Sequence, residues 1–309
     1  MAVLLAMCAV VLGGLGSIPL TLAAADAFYG LNSQARDGVA HISAAEADLK
    51  TLQSDPLSTH VILQTQHDFA AALADFQALE QETARLPGVL DALPVIGAKV
   101  GSAQHLVPLA AEASQAGIVA CDALDILASK LGNPLSSAGT GIQSTDIAAV
   151  SADVTHLQSL YAQVAGQLAS LTPANLALAP QLDSKVTTLQ AQLPTITSIM
   201  QDLPGMVAVL PVLLGISQPA NYLIEVLDST EIRPGGGFFG NDGILSISHG
   251  HLQSLSVQDT ALVHLNADPR IPLAGQYSWF SLLNQFEFFQ DCNFEADFPS
   301  ASRTCESLY

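Results

Sequence analysis

Ile147, Val150, Val154, Leu157, Tyr161, Val164, Leu168 and Leu171 follow one another at steps that alternate three and four. Only an α-helix brings residues so spaced onto one side. An apolar seam sustained over about three and a half heptads needs a second helix to bury it. The stretch is therefore predicted to be a long helix with a packing partner, N-capped by Ser144-Thr145-Asp146 and closed by Thr172-Pro173.

The spacing recurs on both sides. Val39, Ile42, Ala45, Leu49 and Leu52 form a stripe that ends at Asp55-Pro56. Ile62, Phe69, Leu73, Phe76 and Leu79 form another, ending at Pro87-Gly88. Leu182, Val186, Leu189, Leu193 and Ile196 repeat the pattern, with Pro194 expected to kink or break the helix. Short breaks, together with the Gly/Ser-rich connector 133–141, favour antiparallel neighbours. Residues 26–218 are thus expected to form an elongated antiparallel helical bundle or coiled coil. Its seams serve as intramolecular core, the commoner outcome, or as a surface for self-association or a protein partner. Leu203–Ile216 is apolar but short and carries two prolines, so it is read as a buried hinge helix rather than a span.

The first 25 residues contain no charge, and Asp26 is the first charged side chain. At 1.5 Å per residue the run exceeds the roughly 30 Å hydrocarbon core of a bilayer. Ala23-Ala24-Ala25 would suit signal-peptide cleavage, but a basic leader is missing and the run is long, so an uncleaved transmembrane helix over 1–25 is expected. Its missing leader also hints that the natural chain starts further upstream. Acids outnumber bases 28 to 9, giving a net charge of −19. That excludes a nucleic-acid partner, whose phosphates require Lys and Arg, and excludes a polybasic lipid-docking patch.

After Pro219 the pattern changes. Tyr222–Leu227 has strand composition, Ile244–Ser248 alternates at period two, His249-Gly250 reads as a turn, and Leu252, Leu255 and Val257 suggest a returning strand. The chain is therefore of the α+β class: a transmembrane helix (1–25), a helical bundle (26–218) and a small antiparallel-sheet domain (219–309).

Between the strands lies DSTEIRPGGGFFGNDG, residues 228–243. Gly235, Gly237 and Gly240 match a dinucleotide fingerprint in form, but a strand follows where a helix must open. A kinase-type glycine loop needs a downstream lysine, and none follows Lys185. Neither reading survives, and no cofactor is expected. The glycines permit a chain path closed to other residues. Gly235, Gly236 and Gly237 could form an anion-binding nest with Arg233, or a tight turn in which Arg233 pairs with Glu231 or another acid.

The stretch YLIEVLDSTEIRPGGGFFGNDGIL resembles the signature of bacterial domain-of-unknown-function family 4012. The pieces Asp291-Cys292-Asn293 and Asp297-Phe298-Pro299-Ser300-Ala301 are similar to that family's second motif. The resemblance implies a single-anchor envelope protein with an extracytoplasmic helical region ahead of this domain. It supplies no catalytic residues, and because family members usually continue further, it implies a domain incomplete at Tyr309.

Cys292 and Cys305 are close enough for a local disulfide in an oxidising compartment, worth about 3 kcal/mol. Cys8 and Cys121 read as packing residues. His249 and His251 would share one side of an extended chain but lack a third ligand, so a solvated turn is expected and no metal is assigned. Asp242, Asp259, Asp291 and Asp297 are read as solvated acids, with Asp297 capping a helix from Ser300 to Tyr309. Arg233, Arg270 and Arg303 are the only cations after Lys185. Two functions follow: a cell-membrane protein with an extracytoplasmic binding or scaffold role, or an enzyme whose three arginines converge on an anionic, phosphate-bearing envelope precursor.

Overall fold

The computed structural model describes residues 29–85, 94–131, 141–172, 180–266, 271–272, 286–287 and 289–309. The expected transmembrane helix 1–25, the connector 133–140 and Arg270 lie outside the described residues. The chain divides into two compact units, one of helices ending at Leu213 and one running from Leu214 to Tyr309; the stretch 134–139 grouped with the latter is also outside the described residues. The class is α+β, with a helical part followed by a three-stranded antiparallel sheet.

The first unit holds α1 (Tyr29–Leu52), α2 (Thr59–Ala84), α3 (Pro94–Leu131), α4 (Ser144–Ser170) and α5 (Pro180–Leu213). Each helix packs antiparallel against its neighbour in sequence, as short connections require. On α1 the predicted stripe is inward, with Ile42, Ala45, Leu49 and Leu52 buried. On α2, Phe76 lies over Gly38 of α1 and Phe69 over Gly117 of α3. A Cβ at those glycines would stand 2.9 Å and 2.7 Å from the rings, so the notches exist because the side chains are absent. Helix α3, about 57 Å long at 1.5 Å per residue, is packed on both sides, by α2 and by α4.

The seam of α4 is buried from Ile147 to Leu171 and faces partners within the same chain. Val164, Leu168 and Leu171 join Leu106, Leu109 and Ala113 of α3 and Val186 and Leu189 of α5 in one cluster. The cap differs from expectation. Gln143 is the N-cap, and its backbone N–H donates to the Asp146 carboxylate at 2.8 Å. Thus Asp146 acts from inside the first turn, as the acid of a capping box does.

Helix α5 is unbroken through Pro194, Pro204 and Pro211, so of the kink or break expected at Pro194 the break does not occur. A proline removes the donor for the carbonyl four residues earlier. For Pro204 that carbonyl is Met200 O, and Gln158 Nε2 of α4 donates to it at 2.6 Å. Beside Pro194, the Tyr161 hydroxyl donates to Leu193 O at 3.1 Å and lies 2.8 Å from Thr197 Oγ1. In return Gln190 Nε2 of α5 donates to Leu168 O, which also accepts the Leu171 N–H, and to Leu171 O at the end of α4. The segment 203–213 is the end of this helix rather than a separate buried hinge; Val209, Val212 and Leu213 are exposed. Val186–Leu213 is long and apolar enough to cross a membrane by length and composition alone.

The second unit is built on β1 (Ala220–Asp228), β2 (Phe238–Ser248) and β3 (His251–Asp259), a meander in the order β1-β2-β3. His249 and Gly250, both at positive φ, make the two-residue hairpin turn that the sheet twist favours. A helix α6 (Thr260–Asn266), a short β4–β5 pair (Ile271–Pro272 and Phe286–Glu287), a 3₁₀ turn (Phe289–Asp291) and α7 (Phe298–Leu308) complete it. One face of the sheet carries the core: Phe239, Val263, Phe289, Cys292, Cys305 and Leu308, with Leu223 and Leu227 against them. Phe289 stacks tilted between Phe239 and Tyr309 at 4.9 and 5.4 Å.

Candidate functional site

The stretch joining β1 to β2 is built by local hydrogen bonds. Asp228 Oδ1 accepts from the Thr230 hydroxyl and backbone N–H, and these bonds hold its carboxyl below the usual range. Gly236 N–H donates to Arg233 O at 3.1 Å, closing a turn over the Arg-Pro-Gly step. Two of the glycines are required by crowding. A Cβ on Gly235 would lie 2.4 Å from Asn293 O. One on Gly237, at φ 155°, would lie 2.4 Å from Asp228 O.

Those contacts show what the turn is for: it receives the second motif. Arg233 Nη1 donates to Asp291 Oδ1 at 2.7 Å, and the guanidinium lies 5.2 Å from the Phe238 ring and 5.6 Å from the Phe294 ring. Asn293 Nδ2 donates to Gly237 O at 2.8 Å. Between them Cys292 is disulfide-bonded to Cys305 on α7, tying the second motif to the helix that follows it. At the start of α7 the Asp297 carboxylate accepts from Ser300 Oγ and Ser300 N–H, which keeps its carboxyl low, with Arg303 adding to the effect. Arg233 is thus paired with an acid, and that acid is Asp291, 58 residues away in sequence, rather than its neighbour Glu231.

Of the anion-binding candidates, Gly235, Gly236, Gly237 and Arg233 share this turn. Arg303 is on the exposed side of α7, where it donates to Ser300 Oγ at 3.2 Å. Arg233 and Arg303 therefore engage different partners. Arg270 lies outside the described residues.

The acids divide. Asp259 and Asp297 are exposed as expected, whereas Asp242 and Asp291 are buried. Asp242 reaches the core face because Gly240 is an extra residue in β2: Leu227 pairs with Phe239, and Val226 pairs with Asn241. This bulge switches the alternation, so Phe239 and Asp242 share a side. Gln258 Nε2 donates to Asp242 Oδ2 at 3.1 Å, while Oδ1 meets no hydrogen-bond partner. Burial pushes the Asp242 carboxyl up, and Asp259 adds to the shift against the Gln258 bond. Across the strand pair Glu225 faces Asp242, and burial raises it as well. Burial and then Asp242 also push up the phenol of Tyr309.

His251 departs from the solvated turn expected for it. It is buried, with neither ring nitrogen hydrogen-bonded, while His249 Nδ1 lies 3.0 Å from Ser248 Oγ. Among the described residues no group of three His, Cys, Asp or Glu side chains is arranged to hold a metal ion.

Residues 217–309 match the family model described as protein of unknown function (DUF4012). This segment belongs to the DUF4012 family. No curated protein and no solved structure matches the chain. In the DUF4012 segment the residues that carry the signature, Arg233, the glycines, Asp291 and Asn293, are the ones that bind one another. Sequence reasoning missed Asn293 and the role of Asp291, although both stand in the second motif. Nothing in either motif alone names the other as partner.

Proposed function

We propose that this chain is a single-pass, membrane-anchored protein of the bacterial cell envelope, largely extracytoplasmic, with a binding or scaffold role rather than a catalytic one. The observation that carries the reading is the joined pair of motifs. Arg233 is held by Asp291 between two aromatic rings, so its charge is neutralised inside the domain instead of being presented to a ligand. The adjacent Cys292–Cys305 bridge supports an oxidising, extracytoplasmic setting. The anchor is assigned to residues 1–25. Helix α5 is the other apolar candidate, but Val186, Leu189, Ile196, Met200, Leu203 and Val207 are buried on its inner side, which favours a bundle helix.

A fusion of the full chain to a phosphatase that is active only outside the cytoplasm tests this reading. An active reporter in the membrane pellet, released when residues 1–25 are deleted, is expected. A soluble full chain with an inactive reporter would overturn the assignment. The alternative, an enzyme acting on an anionic envelope precursor, draws on the exposed guanidinium of Arg303. Turnover of a phosphate-bearing precursor by the purified chain, lost in Arg303→Ala, would replace the scaffold reading with that one.

A further inference from the structure

Strand β3 is last in the β1-β2-β3 order, so among the described residues one of its edges has no strand beside it. Residues 253–257 are all exposed, which puts both faces of the strand in water as well as that edge. An edge of this kind presents backbone N–H and C=O groups to any extended chain, and proteins ordinarily block it with Lys, Pro or other charge. From Leu252 to Gln258 the sequence LQSLSVQ has none of these. Two of its apolar side chains, Leu255 and Val257, are 55% and 58% exposed. Through the strand register they stand with Tyr222 and Ile224 of β1, on the face opposite the core residues Leu223 and Leu227. Gln253 has no partner in β2; this bulge confines the regular edge to Ser254–Asp259.

Charge and register select the occupant. Acids outnumber bases 28 to 9, so most approaches of one copy of the chain to another bring like charges together. The uncharged strip of β3 is free of that repulsion. Two identical antiparallel strands are related by a two-fold axis, and residues that face each other lie on the same side of the sheet. With the axis at Ser256, Leu255 faces Val257 of the second copy and Val257 faces its Leu255, so one apolar contact is made twice. Ser254 then faces Gln258, and Asp259 falls opposite Gln253, so no two acids meet. A shift of two residues in one direction sets Asp259 against Leu255. The opposite shift sets Val257 against the bulged Gln253. We propose that β3 is a self-association edge, on which a second copy of this chain adds its own β3 antiparallel in the register centred on Ser256.

Cysteine cross-linking of the purified full chain tests this in a Cys8→Ser, Cys121→Ala background, which leaves only the Cys292–Cys305 bridge. The pairs 256 with 256 and 255 with 257 are of opposite kinds in an antiparallel ladder, and the pair without direct hydrogen bonds brings its side chains closer. Under mild oxidation, either Ser256→Cys alone or an equal mixture of Leu255→Cys and Val257→Cys should therefore form disulfide dimers readily. The rate should exceed that of Ser151→Cys, an exposed position on α4, by about ten-fold or more, because pairing raises the effective concentration of the thiols. Leu255→Cys alone should be slow, since its counterpart is a diagonal neighbour about 7–8 Å away, beyond disulfide reach. All three positions are exposed, so the substitutions leave the core intact. Rates no faster than Ser151→Cys for both pairs would overturn the proposal; an extended segment of a different protein would then be the occupant to seek. Leu255→Cys alone reacting as fast as the mixture would overturn the register.

Discussion

Arg233 and Asp291 form a pair between a turn and a 3₁₀ element, and their side chains are only 20% and 9% exposed. Removing one member leaves the other buried and unpaired, which costs about 3 kcal/mol. Arg233→Ala should therefore lower the urea midpoint of the C-terminal unit strongly. Arg233→Met combined with Asp291→Leu should recover much of that loss, because no lone charge remains. Asp242 behaves differently. Its carboxyl is raised on folding, so its contribution is present in acid and disappears as pH rises through the folded value. Asp242→Asn should raise the melting temperature relative to wild type above neutral pH, and the difference should shrink towards pH values at which the carboxyl is protonated. A constant offset at all pH values would mean that packing, not charge, sets the effect.

Among the elements, α5 is the one whose sequence conflicts most with its structure. Three prolines do not end it: α4 supplies the missing donor at Pro204, and Tyr161 of α4 bonds Leu193 O beside Pro194. The bond from Gln158 to Met200 O replaces the one that Pro204 cannot make, a contribution of about 1 kcal/mol. Gln158→Ala should destabilise the helical unit by that order in chemical denaturation. In a Pro204→Ala background the same substitution should cost less, since residue 204 then supplies its own N–H to Met200 O. Equal costs in both backgrounds would show that the glutamine acts through packing alone. The sheet shows a comparable effect on a smaller scale: one extra residue at Gly240 moves Asp242 from the outer face to the core face.

At the scale of the molecule, the two units are stabilised by different means. The helical unit rests on buried apolar seams, whereas the smaller one combines a modest core with a disulfide and an ion pair. Opening the Cys292–Cys305 bridge, which closes a sequence separation of 13, should cost about 3 kcal/mol. Under reductant, protection of residues 214–309 against hydrogen exchange should fall, while α1–α4 should keep theirs. A loss spread evenly over both units would mean that they unfold as one.

The helices and the strands were legible in the chain because burial repeats at 3.6 and 2.0 residues whatever lies opposite, and the seam from Ile147 to Leu171 carries that period without a break. The α+β class, the hairpin turn at His249-Gly250 and the cap at Asp297 follow from the same local physics. Tertiary structure alone decided the rest: that Arg233 pairs with Asp291, that Asn293 binds Gly237, that Gln158 makes Pro204 tolerable, and that a bulge buries Asp242. Each depends on atoms brought together from distant positions in the chain, where no local period operates. The Arg-Pro-Gly-Gly-Gly turn could be recognised from its residues, but its partner could be identified only after the chain had folded.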